Sequence, residues 1–136
     1  MKGKLPFEIP ATGTVTQYYL TITSYGKHQG VDIAAGGESR DIKACASGKV
    51  VFVGPTKWPY GHVVVLYHGL IQTDGDPKRP AHVYTFYSHM GDKDTENSLI
   101  TVRPGQDVLA GTPLGSQGNT GKVILLSEQG TGIHLD

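Results

Sequence analysis

Short runs of β-branched and aromatic residues, broken by glycine and proline, set the hydrophobic pattern of this chain. The three clearest runs predict strands at residues 49–53, 62–68 and 83–87. No stretch keeps a helical period of 3.6 residues over roughly eleven positions or more, so the pattern predicts no amphipathic helix. Turn residues recur about every eight to twelve positions, and this spacing is typical of an antiparallel β-sandwich or barrel.

Weaker runs complete the predicted β pattern. They lie at residues 14–23, 39–46, 99–102, 107–109, 113–117 and 123–126. The polar segment 72–80 contains two prolines and an Asp-Gly pair, which predict a loop inserted at the surface. Neither a repeat of fixed period nor an internal domain boundary is visible, so we expect one all-β domain.

The amino-acid composition argues against several classes of function. Twelve basic and twelve acidic residues give a formal net charge of +0, without a basic cluster, so neither nucleic-acid binding nor docking on an anionic membrane is expected. The longest apolar runs hold about four residues, too few to span a bilayer. Residues 1–6 contain no apolar segment, so no secretory signal is expected in this chain. Cys45 is the single cysteine; it lies between alanines, and we expect a small buried side chain rather than a nucleophile.

Candidate metal ligands occur in two pairs. His28 and Asp32 are four positions apart with Gly30 between them, so in an extended chain both side chains lie on one face. His134 and Asp136 have the same relation over two positions. Imidazole and carboxylate are ordinary zinc ligands, but a pair such as His28 and Asp32, taken alone, more often forms a surface hydrogen bond than a metal site.

The other histidines have less specific settings. His89 ends a predicted strand, at a sheet rim where active sites are often built. His68 is interpreted as a residue at a strand end with a backbone partner, His62 as a solvated residue at the rim, and His82 as part of the surface loop. Residues 115–122 resemble a phosphate-binding loop superficially, but the glycine spacing is wrong and no helix follows.

Taken in order, these features resemble the lysostaphin-type zinc metallopeptidases (the LytM-like, glycyl-glycine endopeptidase group), which cut peptide cross-bridges of bacterial peptidoglycan. The resemblance runs from about Gly13 to the last residue. The segments that match the family's motifs are residues 28–35, 46–50, 60–69, 87–90, 102–115 with 118–121, and 131–136. It implies an antiparallel β-sandwich or barrel-like domain of the duplicated hybrid motif type, with a long open groove. The domain would occupy residues 13–136, behind an irregular lead-in at 1–12.

The resemblance also implies roles for individual residues. His28 and Asp32 match the first two zinc ligands of the family. His89 and His134 match the two catalytic histidines that flank the attacking water, one acting as base and the other steadying the oxyanion. The third ligand of the family is a histidine, and this chain has Asp136 at that position.

Three further residues would line the substrate groove: Tyr60, His62 and Tyr87. His62 stands where the family usually has asparagine. Two insertions, at about 72–81 and 122–129, would reshape the edges of the groove. One Zn²⁺ ion is the implied cofactor, with Mn²⁺ or a similar ion as the alternative, because a second carboxylate makes the ligand set richer in oxygen.

The first functional hypothesis is therefore a zinc-dependent endopeptidase that acts on peptide cross-links or stems of peptidoglycan. The alternative is a catalytically impaired member that binds peptidoglycan or a protein partner, and Asp136 is its only support. A third interpretation is a β domain within a larger assembly, such as a phage tail or lysin component. A monomer is expected by default, with an extracellular or cell-envelope location implied by the resemblance.

Overall fold

The computed structural model describes residues 7–18, 20, 22–23, 26–27, 30–34, 40–56, 60–73, 76–91 and 100–118, without the side chains of 23, 72–73 and 76–79. Within these residues the backbone forms β-strands and turns, and no helix that could cross a membrane is found among them. The strands are β1 (Thr14–Gln17), β2 (Ile22–Thr23), β3 (Gly26–Lys27), β4 (Asp32–Ala34), β5 (Asp41–Lys43), β6 (Gly48–Pro55), β7 (His62–Thr73), β8 (Asp76–Met90), β9 (Asp107–Val108) and β10 (Pro113–Ser116).

The described strands pair in antiparallel fashion throughout. The largest sheet has the order β8-β7-β6-β9, and three two-stranded sheets join β1 to β4, β2 to β3, and β5 to β10. The predicted all-β antiparallel class is confirmed. Strands β6 and β7 form where the sequence is richest in valine, because β-branched side chains pack well on a pleated surface.

One hydrophobic core joins the four-stranded sheet to the β5–β10 pair. Leu66 and Val50 enter it from the large sheet and Ile42 and Leu114 from the small one, and all four are fully buried. Cys45 lies in the same core and is only 7% exposed, so its predicted burial is confirmed.

The prediction of a surface loop at residues 72–80 is wrong. Strands β7 and β8 continue through this segment as a long hairpin, in which Ile71 pairs with Ala81 and Thr73 with Asp76. Pro77 and Pro80 interrupt the hairpin little, because β8 is the edge strand of its sheet and one side of its backbone needs no ladder partner. An Asp-Gly pair between two strand-like runs is a common hairpin signal, and it could have identified the continuation.

The remaining strand predictions have mixed outcomes. The run at 39–46 contains β5, and the run at 113–117 contains β10. At 99–102 the described backbone forms an isolated bridge between Ile100 and Gly115 instead of a full strand. The predicted strand at 123–126 lies outside the described residues.

Candidate active site

Five of the eight predicted site residues lie in the described part of the chain. They are Asp32, Tyr60, His62, Tyr87 and His89. The other three, His28, His134 and Asp136, lie outside it.

Asp32 is the first residue of β4 and pairs with Gln17 of β1. Next to it, Ile33 points into the protein and is 9% exposed, so Asp32 faces the other side of this short sheet. The Oδ1 oxygen of Asp32 is shielded from solvent, and so is the Oε1 oxygen of Gln17 across the strand pair. A carboxylate oxygen removed from water is stabilised by N–H donors or by a cation.

His89 occupies a β-bulge at the end of β8. Met90 pairs with His62 and Tyr87 pairs with Val64, so two residues of β8, Ser88 and His89, lie opposite the single residue Val63. His89 adopts the left-handed region with φ of +56°, and it is 6% exposed. A bulge turns the side chain away from the direction that the regular strand would give it.

The turn before β7 holds this bulge in place. The backbone N–H of His89 donates to the carbonyl oxygen of Tyr60 at 2.9 Å. The N–H and the hydroxyl of Thr56 both donate to the carbonyl oxygen of Gly61, each at 2.9 Å, and Gly61 has a φ of +68°. The structure therefore brings Tyr60, His62 and His89 together at one end of the large sheet.

Tyr60 and His62 differ in their exposure. The side chain of Tyr60 is 43% exposed at the turn. His62 is only 8% exposed, and its Nδ1 atom is buried, so the interpretation as a solvated rim residue is wrong. A buried imidazole beside the His89 bulge is a polar group held in a fixed orientation.

Tyr87 lies in the hydrophobic core, with a side chain only 2% exposed. Its hydroxyl accepts a hydrogen bond from the backbone N–H of Cys45 at 3.1 Å and donates to Cys45 Sγ at 3.1 Å, and the Thr85 hydroxyl donates to it at 3.1 Å. Burial raises the pKa of the Tyr87 phenol well above its ordinary value, although the hydrogen bond from the Cys45 N–H acts in the opposite direction. The side chain is a neutral core residue, and the structure does not place it on an open groove surface.

Two other histidines belong to the large sheet and lie away from the bulge. His68 is inside β7 rather than at a strand end; its Nδ1–H donates to the carbonyl oxygen of Ser47 at 2.7 Å, so the predicted backbone partner is confirmed. His82 is inside β8 and not on a loop, and its Nδ1 is 2.7 Å from the hydroxyl of Tyr67.

Gln117 is a buried polar residue that no sequence motif singled out. Its side chain is fully buried, and its Nε2 donates to the carbonyl oxygen of Thr12 at 3.3 Å. It also forms an antiparallel bridge with Met90, the residue that follows His89. Neither contact leaves a local signal, because Thr12 is 105 positions away in sequence.

Among the described side chains, no group of three or more His, Cys, Asp and Glu is arranged to hold a metal ion. Of the three predicted ligands, only Asp32 belongs to that part of the chain. Its solvent-shielded carboxylate oxygen fits a zinc ligand in chemistry.

The described geometry defines an antiparallel all-β domain that holds a buried histidine on a bulge. Residues 26–136 match the sequence model of peptidase family M23. This chain belongs to that family. The predicted resemblance to lysostaphin-type peptidases is confirmed.

A curated relative is the uncharacterized lipoprotein YgeR of Escherichia coli (strain K12), which is 31% identical over 111 residues. The match covers 82% of this chain and 36% of the relative. The chain thus spans about a third of the length of that relative.

Three solved structures share the fold. A Pseudomonas aeruginosa protein assigned to peptidase M23 has a TM-score of 0.64 at 26% identity, over 99% of this chain and 44% of its own. The catalytic domain of the antimicrobial peptidase lysostaphin from Staphylococcus simulans has a TM-score of 0.56 at 27% identity, over 93% and 76%. A zinc-containing peptidase from Vibrio cholerae has a TM-score of 0.67 over 97% and 35%, and at 20% identity it supports the fold alone.

Proposed function

We propose that this chain is a zinc-dependent endopeptidase that hydrolyses peptide cross-links or stems of bacterial peptidoglycan. Membership of a peptidase family gives the general class of reaction. The observation that carries the proposal is His89, a buried histidine held on a strained bulge beside a second buried histidine, His62. Backbone strain of this kind is concentrated at functional sites, where surrounding contacts hold the residue in a productive orientation.

His28, Asp32 and Asp136 would hold the zinc ion. The described member of this set, Asp32, has a carboxylate oxygen shielded from water, as suits a ligand. When bound, zinc would polarise the scissile carbonyl group as a Lewis acid and lower the pKa of an attacking water to about 7.

His89 and His134 would handle the proton and the developing charge. One imidazole would take a proton from the water as its oxygen attacks the carbonyl carbon, and would pass a proton to the leaving amine as the C–N bond breaks. The other would donate a hydrogen bond to the oxygen of the scissile carbonyl group. The hydrogen bond from the His89 N–H to Tyr60 limits how far the bulge can move during this step. Tyr60, which is 43% exposed, and His62 would contact the peptide next to it.

Asp136 changes the charge at the proposed site. Zinc with two carboxylates and one neutral imidazole is formally neutral, whereas two imidazoles and one carboxylate leave a charge of about +1. Less positive charge weakens the Lewis acid and raises the pKa of the water. We therefore expect a slower enzyme than a family member with histidine at this position.

A second candidate function is a module that binds peptidoglycan or a protein partner through the same groove without cutting it. The observation that favours this candidate is again Asp136, which stands at the position of a family ligand. The two candidates share their ligand and differ in whether the peptide bond is broken.

The proposed place of action is the cell envelope, with the chain as a monomer and peptidoglycan peptide as its partner. Two observations support this location: the family to which the chain belongs, and a relative that is described as a lipoprotein. Binding to nucleic acid is not part of the proposal, because the formal net charge is +0.

Metal analysis and a peptidoglycan turbidity assay test the enzyme. We expect about one zinc per chain, clearing of a peptidoglycan suspension, and loss of clearing with a chelator. Asp136→His should raise the rate of clearing by about tenfold, equivalent to about 1.4 kcal/mol of barrier. Asp107→His is the matched control, because this carboxylate is exposed on β9, and it should leave the rate unchanged.

The outcomes separate the two candidates. Protein that binds no stoichiometric zinc or manganese after supplementation would contradict the enzyme. Protein that sediments with peptidoglycan but never clears it, even as Asp136→His, would support the binding module.

A further inference from the structure

Gln117 is a polar residue in a position that an apolar side chain could fill. It is 0% exposed and follows directly after β10. A buried amide that lacks a hydrogen-bond partner destabilises the folded state, typically by about 1–3 kcal/mol. A buried amide therefore fills space as an apolar side chain would, and it also fixes the position of the acceptor that its N–H group must face.

The backbone of Gln117 is clamped from one side by Arg40. The N–H of Gln117 donates to the carbonyl oxygen of Arg40 at 2.8 Å, and Nη2 of Arg40 donates to the carbonyl oxygen of Gln117 at 2.7 Å. The peptide around residue 117 therefore has little freedom to rotate.

Two further contacts of Gln117 lead towards Asp32 and His89, the candidate ligand and the candidate catalytic histidine in the described part of the chain. The bridge to Met90 fixes the residue next to His89. The hydrogen bond from Nε2 reaches Thr12, which lies two positions before β1, and β1 pairs with the strand that begins at Asp32. Gln117 thus joins the strand end that carries His89 to the sheet that carries Asp32.

We infer that Gln117 is a positioning residue for the proposed peptidase site. Its amide sets how the Asp32 sheet lies relative to the His89 bulge, so the ligand and the catalytic histidine keep one separation. This role rests on the proposed function. A purely structural role would instead make Gln117 one of many side chains whose loss lowers stability and nothing else.

Gln117→Met tests the inference, because methionine has a similar volume and lacks the N–H donor. We expect zinc affinity and kcat each to fall about tenfold or more, as when groups that hold metal ligands in place are removed, with KM little changed. Zinc affinity is measured by competition with a chelating dye, and kcat on a peptidoglycan fragment. A second variant, Gln117→Asn, keeps an amide but withdraws it by one methylene, and should fall in the same direction.

Leu114→Ala is the matched control. Leu114 is also fully buried and lies within β10, so its truncation lowers stability and leaves the amide of Gln117 in place. We expect this variant to lose thermal stability and to keep zinc affinity and kcat. Amide hydrogen exchange at His89 and Gly91 gives a readout without metal, and it should rise in Gln117→Met more than in Leu114→Ala.

The outcomes distinguish this inference from the function on which it rests. Zinc affinity and kcat at wild-type values in both Gln117 variants, with a wild type that binds and cuts, would overturn the positioning role alone. Equal losses in Gln117→Met and Leu114→Ala would overturn it too, because instability would then explain both. A wild type that binds no zinc would overturn the proposed function itself.

Discussion

His89 holds a backbone conformation that a non-glycine residue enters only at a cost. Its φ of +56° places it in the left-handed region, which disfavours residues with a Cβ atom by roughly 1–2 kcal/mol. Contacts on both sides hold it there: its N–H is bonded to Tyr60, and the next residue pairs with His62. The strain is therefore offset by neighbours, and the imidazole points where a regular strand would not send it.

Replacing His89 by glycine and by alanine separates strain from chemistry. Both variants lose the imidazole, so we expect hydrolysis to fall by about a hundredfold or more in each. Because glycine adopts the left-handed region freely, His89→Gly should be more stable to urea than His89→Ala by about 1 kcal/mol.

His82 provides the control on the same strand. Its backbone has the ordinary negative φ of a strand, where glycine is less favourable than alanine by about 0.5–1 kcal/mol. The order of stability should therefore reverse, with His82→Ala above His82→Gly. If the alanine variant were the more stable one at residue 89 as well, the bulge would store no strain.

At the scale of elements, the end of β8 and the residues after β10 cross at very short distance. A Cβ atom added to Gly118 would overlap the carbonyl carbon and the carbonyl oxygen of Gly91. Real Cβ atoms do not approach backbone this closely, so one of the two segments must move if any side chain is present. This crossing lies next to the Met90–Gln117 bridge.

Gly118→Ala should therefore disrupt this end of the molecule. The clash is with backbone rather than with a flexible side chain, so we expect a loss of about 3 kcal/mol or more in the free energy of unfolding. Zinc affinity should fall with it, because Gln117, the residue before Gly118, is the inferred positioning residue for the sheet that carries Asp32. Thermal denaturation and dye competition measure the two effects.

Gly105 gives the comparison for backbone strain alone. It has a φ of +90°, and a Cβ atom there would meet nothing within 4 Å. Gly105→Ala should cost only about 1–2 kcal/mol, the penalty for a left-handed alanine, and should leave zinc affinity unchanged. A Gly118→Ala protein as stable as Gly105→Ala would show that the crossing can open without cost.

At the scale of the whole molecule, one hydrophobic core joins the four-stranded sheet to the β5–β10 pair, and the phenol of Tyr87 is part of this core. The Tyr87 hydroxyl connects β8 to the segment after β5 through Cys45. Since burial raises the pKa of this phenol, the folded protein keeps its proton at a pH where the unfolded chain releases it. In this pH range the folded state binds more protons than the unfolded state, so the free energy of unfolding falls as pH rises.

The protein should lose stability at alkaline pH because of Tyr87. Wild-type stability should carry the full contribution of Tyr87 below about pH 10, the pKa of an unfolded tyrosine, and lose up to about 1.4 kcal/mol per pH unit above it. Tyr87→Phe should be less stable at pH 7 by about 1–3 kcal/mol, because the N–H of Cys45 loses its acceptor, and should lack this extra slope.

Tyr84→Phe is the matched control on the same strand. Tyr84 is 53% exposed, so the loss of its hydroxyl should change the free energy of unfolding by no more than about 0.5 kcal/mol. Urea unfolding of the three proteins between neutral pH and pH 11 makes the comparison. An equal slope for wild type and Tyr87→Phe above pH 10 would show that this phenol titrates normally.

Local pattern was sufficient for the class of fold and for the family. Residues 49–53, 62–68 and 83–87 form strands as predicted, because alternation and β-branching act over a few neighbouring positions. The order of motifs along the chain led to the peptidase family that the comparison confirms. The roles of His28, Asp32, His89, His134 and Asp136 stay predictions from those motifs.

Tertiary structure decided where the strands stop and what their ends do. Residues 72–73 and 76–80 belong to β7 and β8 because these strands pair with each other at the edge of a sheet, which local turn propensity does not reveal. The bulge at His89 depends on Tyr60 across the turn, and the contact of Gln117 with Thr12 spans 105 positions. Sequence by itself determines short-range preference, whereas the site needs contacts between distant segments that exist only when the core has formed.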